Sequence, residues 1–110
     1  MTTWRDIMDA QIYAFDFDGT LCEDCYPDIG SPRKSTISYA RRLKAEGHRL
    51  ILWTCRAGEH LDRAVEWCAS QGLTFDAVNE NLPEVVRKYG NDSRKITADY
   101  YVDDKSLTPA

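Results

Sequence analysis

Short apolar runs alternate with helix-periodic segments along this chain, and that alternation constrains its fold more than any other feature. The first run is Ile12-Tyr13-Ala14-Phe15, continuously apolar and rich in aromatic and branched side chains. Such a run suits a strand covered on both faces. His48-Arg49-Leu50-Ile51-Leu52-Trp53 repeats the plan, residues 73–78 make a shorter third run, and Tyr100-Tyr101-Val102 makes a fourth. Between them lie helical patterns. After Ser31-Pro32, read as N-cap and first helical residue, Ile37, Ala40 and Leu43 form a narrow stripe that Gly47 ends. Leu61, Ala64, Val65 and Cys68 recur at i, i+3, i+4 and i+7 over residues 58–71, with Gly72 behind them. Pro83 opens a short helix through Tyr89, which Gly90-Asn91-Asp92 stops. Residues 3–10 have weak helical character and suggest no chemistry.

Strands alternating with helices predict an α/β fold: a three-layer, Rossmann-like parallel sheet of about four strands, with right-handed crossovers and helices on both faces. A length of 110 residues predicts one domain spanning residues 1–110. Each crossover returns the chain to the same edge, so the carboxyl ends of all the strands lie together, where open sheets bind ligands. Asp16, Thr54, Asn79 and Asp103 fall at those ends.

The first run delivers two carboxylates before it stops. If the chain stays extended, the period of two sends Asp16 and Asp18 to one side and Phe15 and Phe17 to the other, and Gly19 permits the turn away. Two carboxylates about 4 Å apart repel by roughly 4 kcal/mol at an effective dielectric near 20, so the pair calls for a cation, a lysine or a proton. The plainer reading is an Asp-Gly-Thr turn whose carboxylates are solvated or cap the chain. Residues 21–30 carry Cys, Asp, Pro and Gly without period, which predicts a loop or short hairpin over the strand end, where sites are commonly bordered.

A net charge of −4 lacks the basic excess of a general nucleic-acid binder. Arg33, Lys34, Arg41 and Arg42 point mildly to a polyanion, but on a helix such residues are more often a solvated face. The apolar stretches are too short to cross a bilayer and the amino terminus has no signal-peptide pattern, so the expected location is cytoplasmic, with no membrane partner. The four cysteines are then expected as thiols. Cys22-Glu23-Asp24-Cys25 has the spacing of half a zinc site or a redox pair, a minor reading because no second Cys-x-x-Cys accompanies it.

Four motifs in order resemble those of the haloacid dehalogenase-like superfamily. Phe15-Asp16-Phe17-Asp18-Gly19-Thr20-Leu21 is similar to its nucleophile motif, Leu52-Trp53-Thr54 to its second, Lys95 to its third and Tyr101-Val102-Asp103-Asp104 to its fourth. Alone, Thr54 reads as a cap and Lys95 as a solvated charge; the ordered set spans nearly the whole chain. The resemblance implies a phosphomonoester hydrolase in which Asp16 attacks phosphorus and Asp18 serves as acid and base. It implies Mg²⁺ held by Asp16, Asp103 and the backbone carbonyl of Asp18, with Asp104 acting through water. It also implies phosphate contacts from Thr54, Lys95 and the backbone N–H groups of Phe17 and Asp18. Asp99 either orients Lys95 or starts its strand. Arg56 either clamps a substrate phosphate or pairs with a surface carboxylate.

Most members of that superfamily insert a cap, and neither gap here is long enough for one. Tyr26-Pro27-Asp28-Ile29-Gly30, Ile51-Leu52-Trp53-Thr54-Cys55-Arg56 and Arg94-Lys95-Ile96-Thr97-Ala98-Asp99 together resemble a group of small, capless bacterial and phage members. An open site suits a large substrate, such as a nucleic-acid end or a phosphorylated macromolecule, or closure by a second copy in a homo-oligomer; nucleotides and sugar phosphates stay open as phosphorylated small-molecule partners. The competing functional class is a regulatory module that binds phosphate with little chemistry.

Overall fold

The computed structural model of the protein describes residues 10–90 and 96–103. Among these residues the chain forms an α/β unit built on a four-stranded parallel sheet. The strands are β1 (Ile12–Phe15), β4 (Arg49–Leu52), β5 (Ala77–Val78) and β6 (Tyr100–Val102), in the order β5-β4-β1-β6. Helices α1 (Lys34–Ala45), α2 (Gly58–Ser70) and α3 (Pro83–Tyr89) make the crossovers. The remaining strands, β2 (Cys22–Cys25) and β3 (Asp28–Pro32), pair as an antiparallel hairpin directly after β1.

Alternation along β1 divides the core in two. Tyr13 and Phe15 join Leu50 and Leu52 of β4 in one cluster, with Ile37, Ala40 and Leu43 of α1 and Ala64 and Cys68 of α2. Ala14 and Ile51 point into the other, with Ala77, Leu82 and Ile96, and Val85 of α3 packs against it. Both sides of the central strands are therefore covered, which explains why β1 and β4 are continuously apolar. Phe17 joins Phe15 in the first cluster and is fully buried.

Several expected boundaries move. Ser31 and Pro32 do not start α1: Pro32 pairs with Cys22 in the hairpin, and the helix begins at Lys34 after an extended Arg33. The Arg33 N–H donates to the Leu21 carbonyl, so a contact with the strand's far end overrides the local Ser-Pro signal. The third run yields only Ala77–Val78 as strand, because the Asp76 carboxylate instead accepts the Leu50 N–H at 2.8 Å. Gly90 closes α3 with φ 77°, as expected. The short helix expected over residues 3–10 lies outside the described residues except for Ala10.

The hairpin is held at close quarters. A Cβ built on Gly30 would stand 2.3 Å from the Glu23 carbonyl oxygen, so only glycine fits there. Gly19, at φ 83°, turns the chain from β1 into the hairpin, and the Phe17 carbonyl accepts the N–H groups of Thr20 and Leu21 across that turn. No described helix is long and apolar enough to cross a membrane.

Candidate active site

β1 has β4 on one side and β6 on the other, so the sheet order reverses beside it, and open sheets of this kind hold ligands at such a crevice. A row of backbone bonds aligns the strand ends there. The Asp16 N–H donates to the Val102 carbonyl at 2.9 Å, the Trp53 N–H to Phe15 at 2.8 Å and the Asn79 N–H to Leu52 at 2.7 Å. Asp16 and Asp103 thus leave adjacent strands side by side. Both line a cavity of about 290 Å³, together with Thr54, Trp53 and Tyr101.

Asp16 and Asp18 part company. Extension ends at Phe15, and the turn that follows carries Asp18 away from the cavity wall. Both Asp18 oxygens instead face Arg56, whose Nε donates to one at 2.9 Å and whose Nη2 donates to the other at 2.8 Å. Arg56 is not a clamp at the cavity. Its side chain is 1% exposed, and Nη1 donates to the Pro27 and His60 carbonyls while Nη2 also donates to Asp28. A guanidinium has five N–H donors, and these five bonds use them all, leaving none for a phosphate. The rings of Phe17 and Tyr26 lie 5.0 and 5.1 Å from the guanidinium carbon, which adds cation–π attraction. The bonds to Asp18 raise the Arg56 pKa above its ordinary value in spite of burial.

Thr54 is held from two directions. Its N–H donates to the Asn79 side-chain oxygen at 2.8 Å, and its hydroxyl accepts the Arg56 N–H at 3.2 Å. Asn79 also donates to the Arg56 carbonyl at 3.4 Å while standing at φ 52°, left-handed backbone that Asn tolerates better than most residues. The positioning role of Asn79 was not read from sequence beyond its place at a strand end; the signal was a turn-forming Asn after an apolar run.

The Phe17 N–H, expected to face phosphate, donates to the Asp16 carboxylate at 2.8 Å. Asp99 works as a strand starter: its carboxylate accepts the Ile12 N–H at 2.7 Å, and its own N–H donates back to the Ile12 carbonyl. Lys95 and Asp104 lie outside the described residues. Cys22 is buried and Cys25 exposed at opposite ends of β2, so their spacing does not bring the thiols into one described site. Burial pushes the Cys22 thiol up, and takes Cys68 up to about 12.

Among the described residues no three His, Cys, Asp or Glu side chains form a group that would hold a metal. Asp16 and Asp103 nevertheless make a donor set that suits Mg²⁺, which is commonly bound by one or two carboxylates completed by water and phosphate oxygens.

No protein-family model and no curated protein matches the chain. Among solved structures it is similar to one described as the conserved protein coded by a locus from Bacteroides thetaiotaomicron. The two share 43% identity over 90% of this chain and 79% of the other, with a TM-score of 0.79.

Proposed function

The chain belongs to the same family as the conserved Bacteroides thetaiotaomicron protein, and from the residues at its strand ends we propose that it is a Mg²⁺-dependent phosphomonoester hydrolase of the haloacid dehalogenase-like type. The observation that carries this reading is the shared cavity of Asp16, Asp103 and Thr54 at the point where the sheet order reverses. Two carboxylates and a threonine from the ends of three different strands line it, the residue types that a nucleophile, a metal ligand and a phosphate contact require.

In the proposed reaction an Asp16 oxygen attacks phosphorus as the ester P–O bond breaks, giving an aspartyl-phosphate and an alcohol that takes its proton from Asp18. Water, deprotonated by Asp18, then attacks the same phosphorus, releasing phosphate and restoring the Asp16 carboxylate. Thr54 and Lys95 hold phosphate oxygens. Asp16, Asp103 and the Asp18 carbonyl, with Asp104, would hold Mg²⁺, which when bound supplies charge neutralisation for the carboxylates and the phosphoryl oxygens. To act as acid and base, the Asp18 carboxyl must first leave Arg56, since both its oxygens are engaged there.

That engagement favours the second reading, a phosphate-binding module with little turnover. One experiment separates the two: hydrolysis of 4-nitrophenyl phosphate by wild type with Mg²⁺, with EDTA, and by Asp16→Asn. The hydrolase reading expects turnover lost with EDTA and reduced at least 1,000-fold in the variant, and wild-type rates in Asp16→Asn would refute it. A wild type that binds beryllofluoride but turns over no ester is the module.

A further inference from the structure

Resting on the phosphate site just described, we propose that the cavity also contains a ring-binding half, so that the preferred esters carry a planar aromatic or heteroaromatic ring next to the phosphate. Its walls are Trp53, 43% exposed at the end of the covered strand β4, and Tyr101, 40% exposed on the edge strand β6. Leu50, Ile51 and Leu52, the three residues before Trp53, are fully buried. Of the four exposed aromatic side chains among the described residues, Tyr26, Trp53, Tyr100 and Tyr101, the two that line the cavity holding Asp16 and Asp103 are Trp53 and Tyr101.

The two rings are set as walls. Their centroids are 5.3 Å apart and their planes meet at 55°, so the two rings touch as a tilted pair and present one continuous aromatic wall to the cavity. The Tyr101 hydroxyl donates to the Ile96 carbonyl and accepts the Ala98 N–H, which fixes the ring and occupies its polar end. The Trp53 backbone is held by its N–H, which donates to the Phe15 carbonyl. Ala14, the small residue of the central strand, also lines the cavity and leaves room that a larger side chain would fill.

One part of this cavity is therefore apolar and aromatic, and the other carries two carboxylates and a threonine suited to a metal-bound phosphate. A volume of about 290 Å³ is at the low end for small-molecule sites, which suits one ring system rather than a polymer. Stacking against an aromatic side chain strengthens binding roughly 5- to 150-fold per ring. A nucleobase and a simple aryl group share the chemistry that this aromatic wall recognises.

The test is calorimetric titration, with Mg²⁺, of benzylphosphonate and cyclohexylmethylphosphonate, non-hydrolysable probes of equal charge and similar size that differ in planarity. Wild type is expected to bind the benzyl compound at least 5-fold more tightly, with that ratio falling to about one in Trp53→Ala and returning in Trp53→Phe. No preference in wild type, or the same preference in Trp53→Ala, overturns the proposal. Selective phosphonate binding without hydrolysis of any ester keeps the ring site and removes the hydrolase. Equal kcat/KM for benzyl and cyclohexylmethyl phosphates keeps the hydrolase and removes the ring site.

Discussion

Replacing Arg56 with methionine should be among the most destabilising single changes in this protein, and the reason lies in what it leaves behind. The side chain of Arg56 is 1% exposed and that of Asp18 17%, so Arg56 has no water to turn to when its partner goes and Asp18 only a little. Two charge-assisted bonds of 2.8 and 2.9 Å join them. Removing one partner of a buried pair costs about 3–5 kcal/mol, because the other charge stays behind unpaired. Arg56→Met also strips the carbonyls of Pro27, Asp28 and His60 of a donor, which places it at the upper end of that range. A domain of this size has about 5–15 kcal/mol in total, so the variant should melt roughly 15–30 °C below wild type. The decisive assay is a double-mutant cycle in urea with Arg56→Met, Asp18→Asn and the double variant. The double variant should cost well below the sum of the singles, with a coupling of about 2–4 kcal/mol. A coupling under about 1 kcal/mol, the value of an exposed pair, would refute the argument that this pair is a buried anchor.

Thiol chemistry should divide the four cysteines. Iodoacetamide at pH 8 should label Cys25 and Cys55 in the folded protein and spare Cys22 and Cys68, as read by mass spectrometry. With its thiol raised to about 12, Cys68 is thiolate in only about one molecule in 10⁴ at that pH, so labelling of Cys68 as fast as Cys25 would contradict its burial. Gly30→Ala should separate β2 from β3, because the added methyl meets the Glu23 carbonyl at 2.3 Å. A loss of about 1–3 kcal/mol in thermal or urea unfolding, with faster amide exchange confined to the hairpin, is the expected result; unchanged exchange there argues against the close approach.

Much of the scaffold is legible in the chain itself, for reasons that are local. Ile12 to Phe15 has no polar residue to turn toward water, and Ile37, Ala40 and Leu43 recur at the helical period and are buried as that period requires. Pro83 and Gly90 bracket α3 because one presets a helical φ and the other takes a left-handed one. Ser31-Pro32 shows where local reading fails. It has the chemistry of a helix start, yet pairing with Cys22, ten residues back, holds Pro32 in a strand.

The candidate site divides along the same line. Its strand-end residues, Asp16, Thr54 and Asp103, follow from sequence because apolar runs end there and parallel crossovers bring those ends together. The fate of Asp18 does not, since its partner is 38 residues away and no short-range pattern links them. Arg56 looked equally suited to a phosphate, and only burial among three carbonyls, two rings and a carboxylate commits all its donors inside the protein. The sequence by itself thus determined the order of strands and helices and which polar residues reach the binding edge, because those depend on periodicity and chain direction. Only tertiary structure decided that Asp18 turns inward to Arg56 while Trp53 and Tyr101 stay open beside Asp16, because those outcomes depend on which distant groups compete for each side chain.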